Sequence, residues 1–170
     1  MNPFARIIPS TAVAAIAMLA LSGCDKVTET LPPPTGTDTI PTIQQGVYGR
    51  VYFWEGDFMP VVPPAPPRGT ITPVQRTLVV HTPTRFDSVE QVNYSAFYRR
   101  ILTQRIGTTA SNSAGFFQIP LAPGRYSFFV VEDSLFYANG GDGLGFLLPV
   151  TVVQDSLTRL DINITYKATF

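Results

Sequence analysis

The chain is poor in the side chains that build catalytic centres. Its 170 residues include one cysteine, Cys24, and one histidine, His81. A single thiol excludes an internal disulfide, and one imidazole with one remote thiol leaves catalytic zinc short of its usual ligand set. A Ser-His-Asp triad would have to use His81, which lies in a predicted strand, and no Gly-x-Ser-x-Gly motif is present. We therefore expect a protein that is not an enzyme.

An excess of charge of either sign is also lacking. The chain has 12 basic and 12 acidic residues, and only 14% of its residues are charged. This balance excludes the basic stripe of a nucleic-acid-binding protein. Hydrophobic residues make up 45% of the chain, enough for a folded core, and the length predicts one domain.

The longest uncharged apolar stretch lies at the amino terminus. Arg6 precedes residues 7–21, which contain no charged residue. This stretch is shorter than the roughly 20 apolar residues of a membrane-spanning helix. A basic start, a short apolar core and small residues after it are typical of a secretory signal peptide, which we predict at residues 1–23.

The predicted signal ends in Leu21-Ser22-Gly23-Cys24, and this motif resembles the lipobox of bacterial lipoproteins. The resemblance implies that diacylglycerol is attached to the Cys24 thiol and that cleavage leaves Cys24 as the first residue. Stable anchoring takes more than one acyl chain. We expect a cell-envelope protein held to a membrane by its lipid, on the periplasmic or surface face of the outer membrane rather than at the inner membrane. The alternative is a plain signal peptide or membrane anchor with an incidental cysteine.

A spacer is predicted after the signal. Residues 24–45 are rich in threonine and proline and show no apolar periodicity, which is typical of a disordered linker. Pro32-Pro33-Pro34 favours extended polyproline II structure. The alternative is an ordered arm packed on the folded domain.

Strand patterns fill the remainder of the chain, residues 46–170, which we predict to be one domain. Residues 46–54 read GVYGRVYFW and alternate two sets of side chains with the period of a strand. A short helix is predicted around residues 89–97, because Asp87 and Glu90 have capping-box spacing. Seven to nine short strands with at most one short helix predict an all-β, antiparallel β-sandwich. The other strands are expected near residues 76–82, 101–109, 116–119, 125–131, 147–153 and 157–170.

Three short motifs inside this domain carry a family resemblance. They are Gly49-x-Val51, Gly115-x-Phe117 and Leu121-x-Pro123-Gly124-x-Tyr126. Together they resemble the carboxypeptidase regulatory-like domain over about residues 46–170. The resemblance implies a transthyretin-like (prealbumin-like) sandwich and an accessory role, because in the carboxypeptidases the related domain accompanies a separate catalytic domain.

Two acidic, aromatic segments are candidates for ligand binding: WEGDF, residues 54–58, and EDSLFYANGGDG, residues 132–143. Their aromatic rings, those of Trp54 and Tyr137, are candidates for a face that binds a sugar or a peptide. The ligand-binding residues of this hypothesis are Trp54, Asp57, Tyr137 and Asp142.

The same segments are candidates for a calcium site. Calcium takes about six to eight oxygen ligands, and loops at one end of a sandwich supply carboxylates. The candidate ligands are Asp57, Glu132, Asp133 and Asp142. In a third interpretation the aromatic rings fill the edge of the core and the acidic side chains solvate the loops.

The sequence thus favours a non-catalytic, lipid-anchored module of the cell envelope that binds a partner protein or serves envelope structure. The alternative is a lipoprotein that binds a glycan or another small ligand through Trp54 and Tyr137, with or without calcium. No nucleic acid is expected as a partner.

Overall fold

The computed structural model describes residues 39–60 and 68–170, so Cys24 and most of the predicted spacer lie outside the described part of the chain. Within it the protein is an all-β sandwich, which confirms the predicted fold class. These two ranges hold twelve strands, more than the predicted seven to nine, because several short strands form where none was predicted and the strand predicted at residues 157–170 divides in two. The strands are β1 (Gly46–Asp57), β2 (Thr70–Pro73), β3 (Thr77–His81), β4 (Val89–Gln91), β5 (Phe97–Ile101), β6 (Arg105–Ala110), β7 (Phe116–Pro120), β8 (Gly124–Glu132), β9 (Leu135–Tyr137), β10 (Pro149–Val152), β11 (Leu157–Arg159) and β12 (Ile162–Thr169).

The strands form two sheets. In the first sheet the long strand β1 pairs in parallel with β11 and β12 and antiparallel with β2 and β7. The second sheet has the strand order β4-β5-β9-β8-β3-β6, and β10 also pairs with β8. Every pair in the second sheet is antiparallel. The parallel pairs of β1 are the one departure from the predicted antiparallel arrangement.

The inner faces of the two sheets meet in an apolar core. Val47 and Val51 of β1 share one cluster with Phe117 of β7 and with Phe128 and Val130 of β8. All five side chains are completely buried. Burying each such side chain contributes about 1.5–3 kcal/mol, so this cluster holds the two sheets together.

The outer face of the second sheet is covered as well. Successive residues of a strand point to opposite faces, so Val79 and Phe129 point away from the core between the sheets. They pack with Tyr98 of β5 and with Leu147. Leu147 belongs to the segment that joins β9 to β10, so this glycine-rich loop lies across the outer face of the sheet.

The prediction of a helix at residues 89–97 is wrong. Strands β4 and β5 form an antiparallel hairpin there, closed by a turn in which Ser95 N–H donates to Val92 O at 2.9 Å. The only helical segment in the described ranges is a single 3-10 turn, Phe86–Ser88. The Asp87 carboxylate accepts a hydrogen bond from Ser88 Oγ and caps no helix.

The last residues of the predicted spacer pack against the sandwich. Ile43 is buried, Thr42 N–H donates to Gln118 Oε1 at 2.8 Å, and Gln45 Nε2 donates to Leu121 O at 2.9 Å. Residues 39–45 are therefore the ordered arm of the alternative interpretation. This arm fixes the chain to the sandwich before β1 begins at Gly46.

Candidate functional site

Three aromatic side chains meet where β1 and β12 end. The ring of Trp54 lies 5.0 Å from that of Phe58 and 6.1 Å from that of Phe170, and Phe58 stacks on Phe170 at 5.8 Å. The indole Nε1 of Trp54 donates a 3.0 Å hydrogen bond to Asn163 Oδ1 on β12. The parallel pairing of β1 with β12 brings these two distant parts of the chain together. We call Trp54, Phe58 and Phe170 the aromatic end.

The aromatic end is open to solvent. Phe170 is 64% exposed and the neighbouring Met59 is 46% exposed, while Trp54 and Phe58 are half-buried. Asp57, the residue before Phe58, forms an ion pair with Arg68. The structure therefore brings two predicted ligand-binding residues, Trp54 and Asp57, to one exposed surface.

The aromatic end and the amino-terminal arm lie at opposite ends of β1. The strand begins at Gly46, beside the arm, and runs to Asp57. Its 12 residues span roughly 36 Å at about 3.3 Å each. The aromatic rings therefore lie far from the point where the chain enters the sandwich.

Tyr137 does not join this surface, which corrects the prediction of an aromatic face shared with Trp54. Its side chain is 1% exposed, and its ring packs edge-on against Phe97 at 5.2 Å and Tyr166 at 5.7 Å. The register of β9 explains this placement, because Tyr137 lies opposite Phe97 on one neighbour and Val130 on the other. Tyr137 is a core residue.

The Tyr137 hydroxyl accepts a backbone hydrogen bond at a bulge in β12. The pairing of β1 with β12 shifts register between Phe53 and Glu55, and a bulge of this kind leaves one residue out of the ladder. Thr165 lies in the bulged part of β12, between the residues that pair with Phe53 and Glu55. Its N–H donates to the Tyr137 hydroxyl at 3.0 Å. Thr165 Oγ1 lies 3.3 Å from the same oxygen.

We predict that Tyr137→Phe destabilises the sandwich by about 1 kcal/mol, because the Thr165 N–H loses its acceptor. Urea unfolding measures the change. The matched control is Tyr98→Phe, since Tyr98 is also buried (2% exposed) and its hydroxyl has no hydrogen-bond partner among the described residues. The control should unfold at the wild-type urea concentration or above it. Equal unfolding midpoints for Tyr137→Phe and the wild type would show that the hydrogen bond from Thr165 N–H to the Tyr137 hydroxyl contributes nothing to stability.

Asp142 organises the loop between β9 and β10. Its Oδ1 accepts hydrogen bonds from Leu144 N–H at 2.9 Å and Phe146 N–H at 3.2 Å, and its Oδ2 pairs with Arg125 of β8. Desolvation raises the pKa of Asp142, but the two N–H groups and the Arg125 guanidinium lower it by more. The net pKa lies below the ordinary value of an aspartate, so the carboxylate stays ionised and holds the loop to β8.

Glu132, the last residue of β8, is likewise held by protein side chains. It is buried, forms an ion pair with Arg76 and accepts a 2.9 Å hydrogen bond from the Tyr166 hydroxyl. Desolvation and this hydrogen bond raise the pKa of Tyr166 to about 12, so Tyr166 remains a donor at neutral pH. Asp133 is exposed in the following turn.

The structure does not assemble the four predicted calcium ligands into one site. Asp57, Glu132 and Asp142 each pair with a different arginine. Across residues 39–60 and 68–170, no group of three or more His, Cys, Asp or Glu side chains is placed to hold a metal ion.

His81 lies in the second sheet, as its strand pattern predicted. It is 6% exposed, and its Nδ1 lies 3.0 Å from the Thr103 carbonyl oxygen. Burial is the main cause that lowers the pKa of His81. The neutral ring packs edge-on against Phe129 at 5.8 Å, which gives His81 a structural role.

The described residues contain no helix that is both long and apolar enough to cross a membrane. No family model, curated protein or solved structure matches the chain. The resemblances to the lipobox and to the carboxypeptidase regulatory-like domain therefore stay predictions from the sequence.

Proposed function

We propose that the protein is a non-catalytic, lipid-anchored module of a bacterial cell envelope that binds a partner protein through its aromatic end. One observation carries the proposal: three aromatic rings in mutual contact, of which Phe170 is 64% exposed, lie at the end of β1 opposite the arm. The predicted spacer and Cys24 precede that arm in the chain. A membrane tether at Cys24 would thus leave the aromatic end free to meet a partner.

The chemistry of the aromatic end suits a protein partner. Tryptophan, tyrosine and phenylalanine are enriched in the centres of protein interfaces, and exposed apolar patches mark such surfaces. A charged pair adjoins the rings, because Asp57, the residue before Phe58, pairs with Arg68. An apolar pocket with a polar rim on the partner would complement this arrangement.

Photo-crosslinking in intact cells tests this proposal. A photoreactive phenylalanine analogue replaces Met59, which is 46% exposed next to the aromatic end, or Tyr94, which is 99% exposed at the tip of the β4–β5 hairpin. We expect a discrete crosslinked product from position 59 and none from position 94. Adding Phe170→Ser should lower the yield about tenfold, because the loss of one aromatic anchor costs an interface about 1.4 kcal/mol or more.

Two outcomes would contradict a partner at the aromatic end. One is equal crosslinking from positions 59 and 94, and the other is a yield from position 59 that Phe170→Ser leaves unchanged. The Phe170→Ser chain must fractionate with the membrane as the wild type does, so that a lower yield reports binding and not location.

A further inference from the structure

A cleft opens on the outer face of the second sheet, away from the aromatic end. It lies between the β4–β5 hairpin and the loop that joins β9 to β10, and its volume is about 380 Å³. Pockets that hold small ligands in proteins have volumes of about 300–1,000 Å³. The cleft is therefore large enough for a small ligand.

One residue that lines this cleft carries a hydroxyl group without a protein partner. Tyr98 lines it, and the residue is 2% exposed because its ring packs in the smaller apolar cluster with Phe129. Its hydroxyl makes no hydrogen bond to any described residue, and burial raises the pKa of Tyr98. The buried atom without a partner in the described residues is Thr108 Oγ1 and not the Tyr98 hydroxyl, so this hydroxyl is open to a hydrogen bond from solvent or from a ligand in the cleft.

Two side-chain amides in the wall of the cleft offer further acceptors. Gln91 Nε2 donates to Ser95 O at 2.7 Å, and Asn139 Nδ2 donates to Thr165 Oγ1 at 2.7 Å. These bonds fix both amides and leave Gln91 Oε1 and Asn139 Oδ1 without a hydrogen bond from the described residues. Amide oxygens accept only, so the complementary ligand carries hydrogen-bond donors.

The remaining lining residues are apolar residues, glycines and Ser95, whose Oγ already donates to Val92 O at 2.5 Å. Phe86 is 53% exposed at the cleft and is held to the glycine-rich loop because its N–H donates to Gly145 O at 3.1 Å. Gly140 and Gly141 also line the cleft and carry no side chain that would keep a ligand from the backbone. No Asp, Glu, Lys or Arg is among the residues that line the cleft.

We propose that this cleft binds a neutral saccharide, with one sugar ring stacked on Phe86 and its hydroxyls bonded to Tyr98, Gln91 and Asn139. The apolar face of a sugar ring matches an aromatic side chain, and its hydroxyls both donate and accept. A purely apolar ligand would leave three polar groups unpaired, which is unfavourable. An anionic ligand would find no cation in the wall. The proposal is independent of the aromatic end and of its partner.

Isothermal titration calorimetry of the full chain, in a detergent without a sugar headgroup, tests the proposal. The probes are maltohexaose, cellohexaose and N-acetylchitohexaose, with a heparin hexasaccharide as the charged comparison. We expect saturable binding of at least one neutral probe. Tyr98→Phe should weaken it about three- to tenfold, by the loss of one hydrogen bond, and Phe86→Ala about tenfold, by the loss of the stacking surface.

Tyr137→Phe is the matched control, because it also removes the hydroxyl of one buried tyrosine, but this hydroxyl bonds to Thr165 and Tyr137 does not line the cleft. It should bind the neutral probe with wild-type affinity. The proposal is overturned if no neutral probe saturates, if the heparin probe binds more tightly than all of them, or if Tyr98→Phe and Phe86→Ala both bind as the wild type does. Because Tyr98→Phe removes a hydroxyl that has no described partner, its unfolding midpoint verifies that a loss of binding is not a loss of fold.

Discussion

Gly49→Ala is expected to destabilise the sandwich by more than about 4 kcal/mol, a loss that few single substitutions cause. A Cβ atom at this position would lie 1.8 Å from the carbonyl oxygen of Leu160 and 2.5 Å from its carbonyl carbon. Both atoms belong to the backbone, so no change of rotamer relieves the clash. A domain of this size has about 5–15 kcal/mol of stability in total. A large fraction of the Gly49→Ala molecules should therefore be unfolded or insoluble.

The clash is costly because the first sheet is joined at Gly49. Residues before Gly49 pair with β11 and residues after it pair with β12. Leu160, between those two strands, donates its N–H to Tyr48 O at 2.8 Å, and Arg50 N–H donates to Asp161 Oδ1 at 3.0 Å. Moving Leu160 away from a new methyl group would break both bonds and separate β1 from its parallel neighbours.

Gly107→Ala is the matched control for Gly49→Ala. It makes the same chemical change in strand β6, but the nearest atom to its Cβ is Ile119 Cδ1 at 3.2 Å, the end of a flexible side chain. We expect it to change stability by less than about 1 kcal/mol. Urea unfolding followed by the fluorescence of Trp54, the only tryptophan, and by circular dichroism compares the two variants. If the two variants unfold at the same urea concentration, the close contact between Gly49 and Leu160 does not limit the stability of the domain.

The sequence predicts β1 well, because the pattern of a strand is local. The alternation in GVYGRVYFW places Val47 and Val51 on one face, and both are completely buried. It cannot predict which strands lie beside β1. The parallel pairing with β12 depends on contacts between the two ends of the domain, and no short motif records it.

The β4–β5 hairpin shows how a local pattern misleads. Asp87 and Glu90 have the spacing of a capping box, but Glu90 pairs with Arg100 across the hairpin at 3.0 Å. The turn uses left-handed backbone at Asn93 (φ 47°) and Tyr94 (φ 55°), a conformation that side chains as large as tyrosine rarely adopt. The pairing of β5 with β9 stabilises the hairpin, and this long-range contact is not visible in residues 89–97.

The candidate sites were predictable only in part, for a related reason. Composition identifies Trp54 and Tyr137 as aromatic residues near loops, but the register of a strand decides which face each one occupies. Phe170 joins Trp54 through the parallel pairing of β1 with β12 and belongs to no motif. Tyr98 and Phe86 come together only because the glycine-rich loop folds over the outer face of the second sheet.

Cys24→Ser is expected to move the protein from the membrane fraction to the soluble fraction almost completely. Serine has no thiol to accept diacylglycerol, and each buried methylene of an acyl chain contributes about 0.8 kcal/mol to membrane binding. Loss of every chain therefore removes the whole anchor. Fractionation of cells measures the change, and the mass of the intact protein reports the lipid directly. Ser134→Ala, an exposed substitution in the turn between β8 and β9, should leave both readouts at their wild-type values.

The anchor and the aromatic end are separate hypotheses, and the Cys24→Ser chain distinguishes them. If this chain stays in the membrane fraction and the wild type carries no lipid mass, the lipobox resemblance is wrong, whatever position 59 crosslinks. If the chain is released and position 59 still forms its crosslinked product, the aromatic end recognises its partner without the membrane. If release abolishes the product while Phe170→Ser also abolishes it in anchored protein, the partner is itself membrane-bound, and the tether acts by keeping the aromatic end near it.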